Sequence, residues 1–130
     1  MLELALLSPW ILFLFVGALD WGFYAYSLIT METAARSAAV YASGQTSITT
    51  GVPVAACTIV VNEMSSLINT GSVSSCGSSP LVVSTTQVTG PDNSNAAQVS
   101  VTYTMPQLIP IPGLLAGQFT ITRTVTMRMG

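Results

Sequence analysis

Two carboxylates in an apolar stretch are the side chains of this sequence with the clearest chemical consequence. Glu3 precedes, and Asp20 interrupts, a mainly apolar run that extends to about residue 31. A carboxylate costs on the order of a few kcal/mol at mid-depth in lipid and less near the interface. Glu3 is therefore either an interfacial charge helped by the positive helix N-terminus, or a partner for the α-amino group of Met1 in a neighbouring copy.

Asp20 has two comparable interpretations. It marks the lipid boundary of a partly extruded anchor, or it pairs with Arg36 of another subunit. Within one helix the two residues lie about four to five turns apart, so they cannot meet in one chain.

The residue types that catalysis needs are absent or scattered. Histidine is absent, which removes the commonest general base and metal ligand and every Ser-His or Cys-His nucleophile pair. The five acidic residues are spread out, so a converging acid-base pair is not expected. Three arginines and no lysine cannot make the basic patch that nucleic-acid binding requires. We predict a protein that is not an enzyme and has no cofactor, metal, small-molecule substrate or nucleic-acid partner.

Cys57 and Cys76 are the only cysteines, and they lie in a Ser/Thr-rich half of the chain. Two cysteines without histidine make a poor zinc site. In an exported protein the simple interpretation is one disulfide. Two separate buried thiols are the alternative.

The composition indicates a surface that meets something other than bulk water. Of the 130 residues, 50% are hydrophobic and only 6% are charged, whereas ordinary globular chains carry roughly 25% charged residues. The length suits one domain-sized unit. Lipid or further copies of the same chain are the expected surroundings.

One continuous helix is predicted from about residue 4 to about residue 43, because an apolar run leads into the alanine-rich stretch 32–43. At 1.5 Å per residue it would be roughly 60 Å long, about twice the hydrocarbon thickness of a membrane. We assign residues 1–30 to a membrane anchor or filament core and 31–43 to a stalk. Pro9 should kink or locally open this helix, which neighbouring helices can accommodate by packing there.

Residues 44–130 are predicted to form a head with an α+β fold. Apolar residues at helical spacing predict a short second helix over 53–69, with Pro53 in its first turn. Alternating stretches at 81–88, 98–105 and 119–129 predict strands. Consecutive strands usually pair. We therefore expect a small antiparallel β-sheet of three or four strands, packed on the C-terminal half of the long N-terminal helix. We also expect the apolar loop between the last two strands to cover the core or to contact a neighbouring subunit.

No basic residue precedes the apolar run, and the first one, Arg36, lies on its far side. The sequence as written thus runs against the positive-inside tendency. We expect that a basic leader has been removed and that residue 1 is a mature N-terminus.

The order of these features resembles the N-terminal region of TadE-like pseudopilins, pilin-like proteins of the tight-adherence (Tad) branch of type IV pili. The resemblance covers roughly residues 1–43. It rests on the run from Glu3 to Pro9, the Asp20-Trp-Gly22 sequence, the tyrosines up to Tyr26, and Thr33-Ala-Ala-Arg36 with Tyr41. It implies processing by a prepilin peptidase, an inner-membrane pool and later incorporation into a pilus at the cell surface. In one respect it departs from the pattern: type IV pilins usually carry this glutamate at the fifth mature position, and here it is the third.

Three hypotheses follow. The first is a structural subunit of a type IV-like filament, with a homo-oligomeric helical core and contacts to other pilins through Met1, Glu3, Pro9, Asp20 and Arg36. The second is a minor TadE-like pseudopilin that primes or caps assembly. The third is a single-pass membrane-anchored extracytoplasmic binding module.

Overall fold

A single long helix dominates the fold. The computed structural model describes residues 2–48, 50–67, 70, 73, 75–106 and 119–130. Helix α1 spans Leu2–Ser43, 42 residues, which confirms the predicted long helix and makes it roughly 60 Å long. It continues through Pro9 as one helix, and a kink there stays a prediction.

The C-terminal half of α1 attaches to the head through a buried stripe of mainly alanine side chains, which we call the alanine stripe. The stripe recurs at spacings of three and four residues, which places its members on one helix face. Its buried members are Ser27, Met31, Ala34, Ala35, Ala38, Ala39 and Ala42. Alanine projects little from the helix axis, so neighbouring elements approach its backbone closely. The head therefore packs on this half of α1, as predicted.

Four strands form one antiparallel sheet in chain order. They are β1 (Gly77–Ser78), β2 (Leu81–Thr89), β3 (Asn95–Thr104) and β4 (Thr120–Arg128). The three predicted strands are confirmed, and β3 begins three residues earlier than predicted because its first residues continue the ladder with β2 up to the turn. The short β1 completes the sheet. The apolar loop expected between the last two strands lies mostly at 107–118, outside the described residues.

The two faces of the sheet differ in chemistry, because side chains alternate along each strand. The inner face carries buried Leu81, Val83, Val99, Val101 and Tyr103. Burial of each aliphatic side chain stabilises the fold by roughly 1.5–3 kcal/mol. The outer face carries hydroxyl and amide groups that bond across strands. These pairs are Thr102–Thr122 at 3.0 Å, Thr124–Ser100 at 3.2 Å, Thr86–Gln98 at 3.3 Å and Gln98–Thr126 at 3.4 Å.

The turn between β2 and β3 follows the predicted Gly90-Pro-Asp-Asn-Ser signal. The Gly90 amide donates to the Ser94 carbonyl at 2.8 Å, and Asn93 adopts the left-handed conformation with φ 57°. A side chain at position 90 would place its Cβ 2.9 Å from the Asp92 Oδ1 atom. A larger residue there would therefore have to displace the Asp92 carboxylate.

The second helix is shorter than predicted. Helix α2 spans Val54–Glu63, whereas the sequence predicted 53–69. Pro53 is its N-cap with ψ 129°, in extended conformation rather than the first helical turn. Beyond Glu63 the chain makes tighter turns, with the Leu67 amide donating to the Met64 carbonyl at 2.9 Å. The buried Thr70 hydroxyl donates to the carbonyls of Met64 and Leu67, so a side chain replaces the donors that further helical turns would supply.

Candidate functional site

The N-terminal half of α1 presents an apolar surface that the described head does not cover. We call residues 2–22 the uncovered segment. None of its described side chains is buried, and its large ones are strongly exposed, with Leu6 at 75%, Trp10 at 70% and Leu14 at 69%. Soluble monomers rarely expose contiguous apolar patches beyond a few hundred Å². This surface therefore requires lipid or protein against it.

An aromatic group lies where the uncovered segment ends. Trp21 and Tyr24 are in edge-to-face contact with ring centroids 6.0 Å apart, and Tyr24 makes a similar contact with Phe119 of the head at 6.4 Å. The Tyr26 hydroxyl lies 2.9 Å from the Ser66 hydroxyl. Tyrosine and tryptophan are enriched at membrane–water interfaces. The head thus begins on α1 at a group of residues suited to such an interface.

The carboxylates of the uncovered segment lie where the sequence placed them. Glu3 is exposed in the first turn of α1, and Asp20 is half-exposed. Neither forms an ion pair within the described part of the chain. Met1, the expected source of the amine that would pair with Glu3, lies outside the described residues. The pairing stays a prediction.

Arg36 has a partner on its own helix. Its Nη2 atom lies 2.5 Å from the Glu32 Oε1 atom, one turn earlier, with the two side chains 64% and 48% exposed. Such a pair contributes only a few tenths of a kcal/mol on a solvated helix. Asp20 lies 16 positions before Arg36, about 24 Å along the axis. The structure therefore does not bring the two together within one chain, and pairing between copies is untested.

A groove between α1 and β4 is the feature that the sequence did not reveal. It has a volume of about 520 Å³ and is lined by Glu32 and Arg36 from the helix and by Arg123, Thr124, Val125, Thr126 and Met127 from the strand. The alternation of residues along β4 placed Arg123 on the apolar face of that strand, and this was the one sequence feature that could have pointed to the groove. Only the packing of β4 along α1 shows that two guanidinium groups line the same groove.

Cys57 and Cys76 form a disulfide with their Cα atoms 5.6 Å apart, which confirms the predicted bond. Cys57 lies on α2, and Cys76 immediately precedes β1. Both are buried. The bond therefore fixes the second helix to the edge of the sheet.

Two further groups have environments that shift their acidity. Burial raises the pKa of the Tyr103 phenol, so this core tyrosine is neutral at physiological pH. The hydroxyl and amide of Ser94 lower the pKa of the Asp92 carboxyl. Within the described residues no group of three potential ligands among His, Cys, Asp and Glu is placed to hold a metal.

A known family matches the part of the chain that contains the uncovered segment and all of the alanine stripe except Ala42. Residues 1–40 match the family model for TadE-like proteins. The N-terminal segment is TadE-like. This confirms the resemblance drawn from Glu3, Asp20 and Arg36, and it supports a TadE-like protein of the Tad pilus system. No curated protein and no solved structure matches the chain significantly.

The TadE-like match indicates involvement in the Tad pilus and association with its components. The family is a structural, non-enzymatic kind of protein. Helix α1 is also long and apolar enough over Ala5–Ser43 to be a candidate membrane span. The match ends near the end of α1, so the head lies beyond it.

Proposed function

We propose that this chain is a structural subunit of a Tad-type pilus filament and that it polymerises through its apolar N-terminal helix. The observation that carries the proposal is the contrast between the two halves of α1. One half is held in the head by the alanine stripe, and the other exposes large apolar side chains and two carboxylates without ion-pair partners among the described residues.

Before assembly, residues 1–30 anchor the subunit in the inner membrane, residues 31–43 form the stalk, and residues 44–130 form the extracytoplasmic head. A prepilin peptidase releases the mature chain, which then joins other pilins in a filament at the cell surface. The aromatic group from Trp21 to Tyr26 sits at the level where the anchor meets the head, as expected for an interfacial belt.

Transfer from lipid to filament exchanges one apolar environment for another. Hydrophobic burial therefore gives little net preference, and close packing and polar contacts decide the association. Glu3 and Asp20 become the determinants of register, because each is costly until a cation of another subunit neutralises it. Pro9 supplies a second constraint, since its missing amide leaves one helical carbonyl for a neighbouring helix to accommodate.

Glu3→Gln tests this proposal. We expect the variant to accumulate in the membrane and to be depleted from filaments sheared off cells of the native host, because the amide cannot neutralise a neighbouring amine. Glu63→Gln is the matched control, since Glu63 is an exposed glutamate at the end of α2 with no ion pair among the described residues. Quantitative immunoblots of sheared and membrane fractions give the readout. Equal filament incorporation of the Glu3→Gln and wild-type chains would contradict the role given to Glu3. Absence of the wild-type chain from sheared filaments would contradict the proposed function and favour a membrane-anchored binding module.

The TadE-like match favours one alternative role, a minor pseudopilin that primes or caps assembly, because family members of this kind are often minor subunits. The helix serves both roles equally, so stoichiometry decides between them. Mass spectrometry of purified filaments would find this chain as the main component if it is the filament subunit. Trace amounts would assign it to priming or capping.

A further inference from the structure

The charges of the described chain leave one cation without a carboxylate. Of the three arginines, Arg36 pairs with Glu32 and Arg128 pairs with Asp92 at 3.3 Å. Arg123 makes no ion pair or side-chain hydrogen bond with any described residue. Building on the proposed self-association, we propose that the groove between α1 and β4 receives the uncovered segment of a second copy, and that Arg123 pairs there with Asp20 of that copy.

The strand side of the groove contains apolar side chains, Val125 and Met127, among its polar lining residues. Residues 121, 123, 125 and 127 share the inner face of β4, and Met129 follows the strand in the same alternation, yet only Ile121 among them is buried. Val125, Met127 and Met129 are half-buried and pack against the core from one side. Helix α1 therefore leaves part of this apolar strip open. Another helix laid along the strip would bury it and enclose Arg123.

Charge complementarity identifies the occupant. A guanidinium at the edge of an apolar strip favours a segment that is apolar and carries an acid. The uncovered segment has this composition around Asp20. The chain's own apolar segment 107–118 contains no acidic residue, so it cannot neutralise Arg123.

The geometry requires that Asp20 comes from another copy. Arg123 lines the groove beside Glu32 and Arg36, and Asp20 precedes Glu32 by 12 positions, about 18 Å along the helix. A second copy displaced along the axis by about 18–24 Å brings Asp20 level with the groove. In a helical assembly each subunit has neighbours at several axial offsets, so this contact is compatible with a Glu3 contact to a different neighbour. Arg123 thereby replaces Arg36, already paired with Glu32, as the preferred partner of Asp20.

Engineered disulfides test the contact in cells that carry the complete assembly system. The full-length chain with Asp20→Cys and Arg123→Cys is the test variant. Both natural cysteines are bonded to each other, so the new thiols report without interference. A disulfide needs Cα atoms within about 7 Å, and the separation within one chain is much larger, so linkage must join two copies. We expect a ladder of linked species on non-reducing gels that neither single variant gives.

Two further pairs serve as competitors. Asp20→Cys with Arg36→Cys tests the helix-to-helix alternative. Glu63→Cys with Arg123→Cys tests Glu63, another acid without an ion pair among the described residues. A ladder from either competitor with none from the Asp20 and Arg123 pair would overturn the inference. Filaments that contain the test variant but no linked species would also overturn it.

A charge test separates this contact from the proposed function itself. Arg123→Gln should reduce the chain recovered in sheared filaments by roughly tenfold, since truncating one partner of a desolvated charge pair is costly. Arg128→Gln, at a surface pair, should change it little, and the thermal unfolding of both variants should match the wild type. Wild-type recovery of Arg123→Gln would refute the contact while leaving filament assembly intact. Wild-type chain that is absent from filaments would refute the proposed function.

Discussion

The disulfide permits a quantitative prediction about the stability of the head. Cys57 and Cys76 are 19 positions apart, and closing a loop of that size restricts the unfolded chain by roughly 3 kcal/mol in the chain-entropy model. The connection matters because α2 has only 10 residues, and isolated helices shorter than about 12 residues are marginal in water. We therefore expect the Cys57→Ala/Cys76→Ala double variant to lose about 3 kcal/mol of unfolding free energy.

For a domain of this size, 1 kcal/mol corresponds to a shift in Tm of about 4–8 °C. The expected loss is therefore a decrease of about 12–24 °C. Near-ultraviolet circular dichroism of the full-length chain in detergent, where the aromatic side chains absorb, follows the loss of tertiary packing in the head. The wild-type protein should shift similarly on reduction of its disulfide.

The two single variants provide the control. Either substitution breaks the same bond, so each should cost nearly as much as the double, and the effects should be strongly non-additive. A decrease in Tm below about 5 °C for both the double variant and the reduced wild type would refute the loop-entropy reasoning. Additive single effects would show that packing of the two sulfurs, rather than the cross-link, carries the stabilisation.

Two further predictions concern the packing of α1 and the turn before β3. Ala38→Leu should destabilise the head by about 1–3 kcal/mol, because the buried alanine stripe has no room for a larger side chain. Val40→Leu, on the exposed side of the same helix, is the control in thermal melts. An unchanged Tm for Ala38→Leu would contradict the close approach of the head to α1. Asp92→Asn should remove an acid-sensitive contribution to stability, because the pKa of the Asp92 carboxyl is lowered in the folded state. The carboxylate therefore stabilises the fold fully above its unfolded-state pKa of about 3.9, and this stabilisation is lost as the pH falls through the folded-state pKa. Unfolding measured across pH 2–7 should show the wild type and the variant converging at the acid end, and a constant difference would disprove the assignment.

The head and the helix carry different kinds of information about function. The TadE-like match covers residues 1–40, which include the uncovered segment and most of the alanine stripe. The head beyond them contributes the groove with Arg123, which has no counterpart in a simple anchor. On the two proposals above, α1 anchors and polymerises the subunit, and Arg123 of the head contacts a neighbouring copy.

Sequence reasoning succeeded where the determinants are local or few. The long helix follows from an unbroken apolar and alanine-rich run, and the strands follow from alternation over about nine residues. The disulfide follows from the presence of only two cysteines. The predicted end of α2 at residue 69 was wrong. The Thr70 hydroxyl, beyond that residue, donates hydrogen bonds to the carbonyls of Met64 and Leu67, and periodicity does not encode such contacts.

The residue pattern alone predicts the main helices and strands, the apolar segment at the start of α1, and the two acidic residues within that segment. The packing of the head on α1 was needed to show which face of the helix is covered and that Arg123 lines a groove beside Glu32 and Arg36. The reason is physical. Propensity and periodicity act within a turn or a strand, whereas these contacts depend on how β4 packs along α1, and Thr120 at the start of β4 follows Ser43 at the end of α1 by 77 positions (120 − 43).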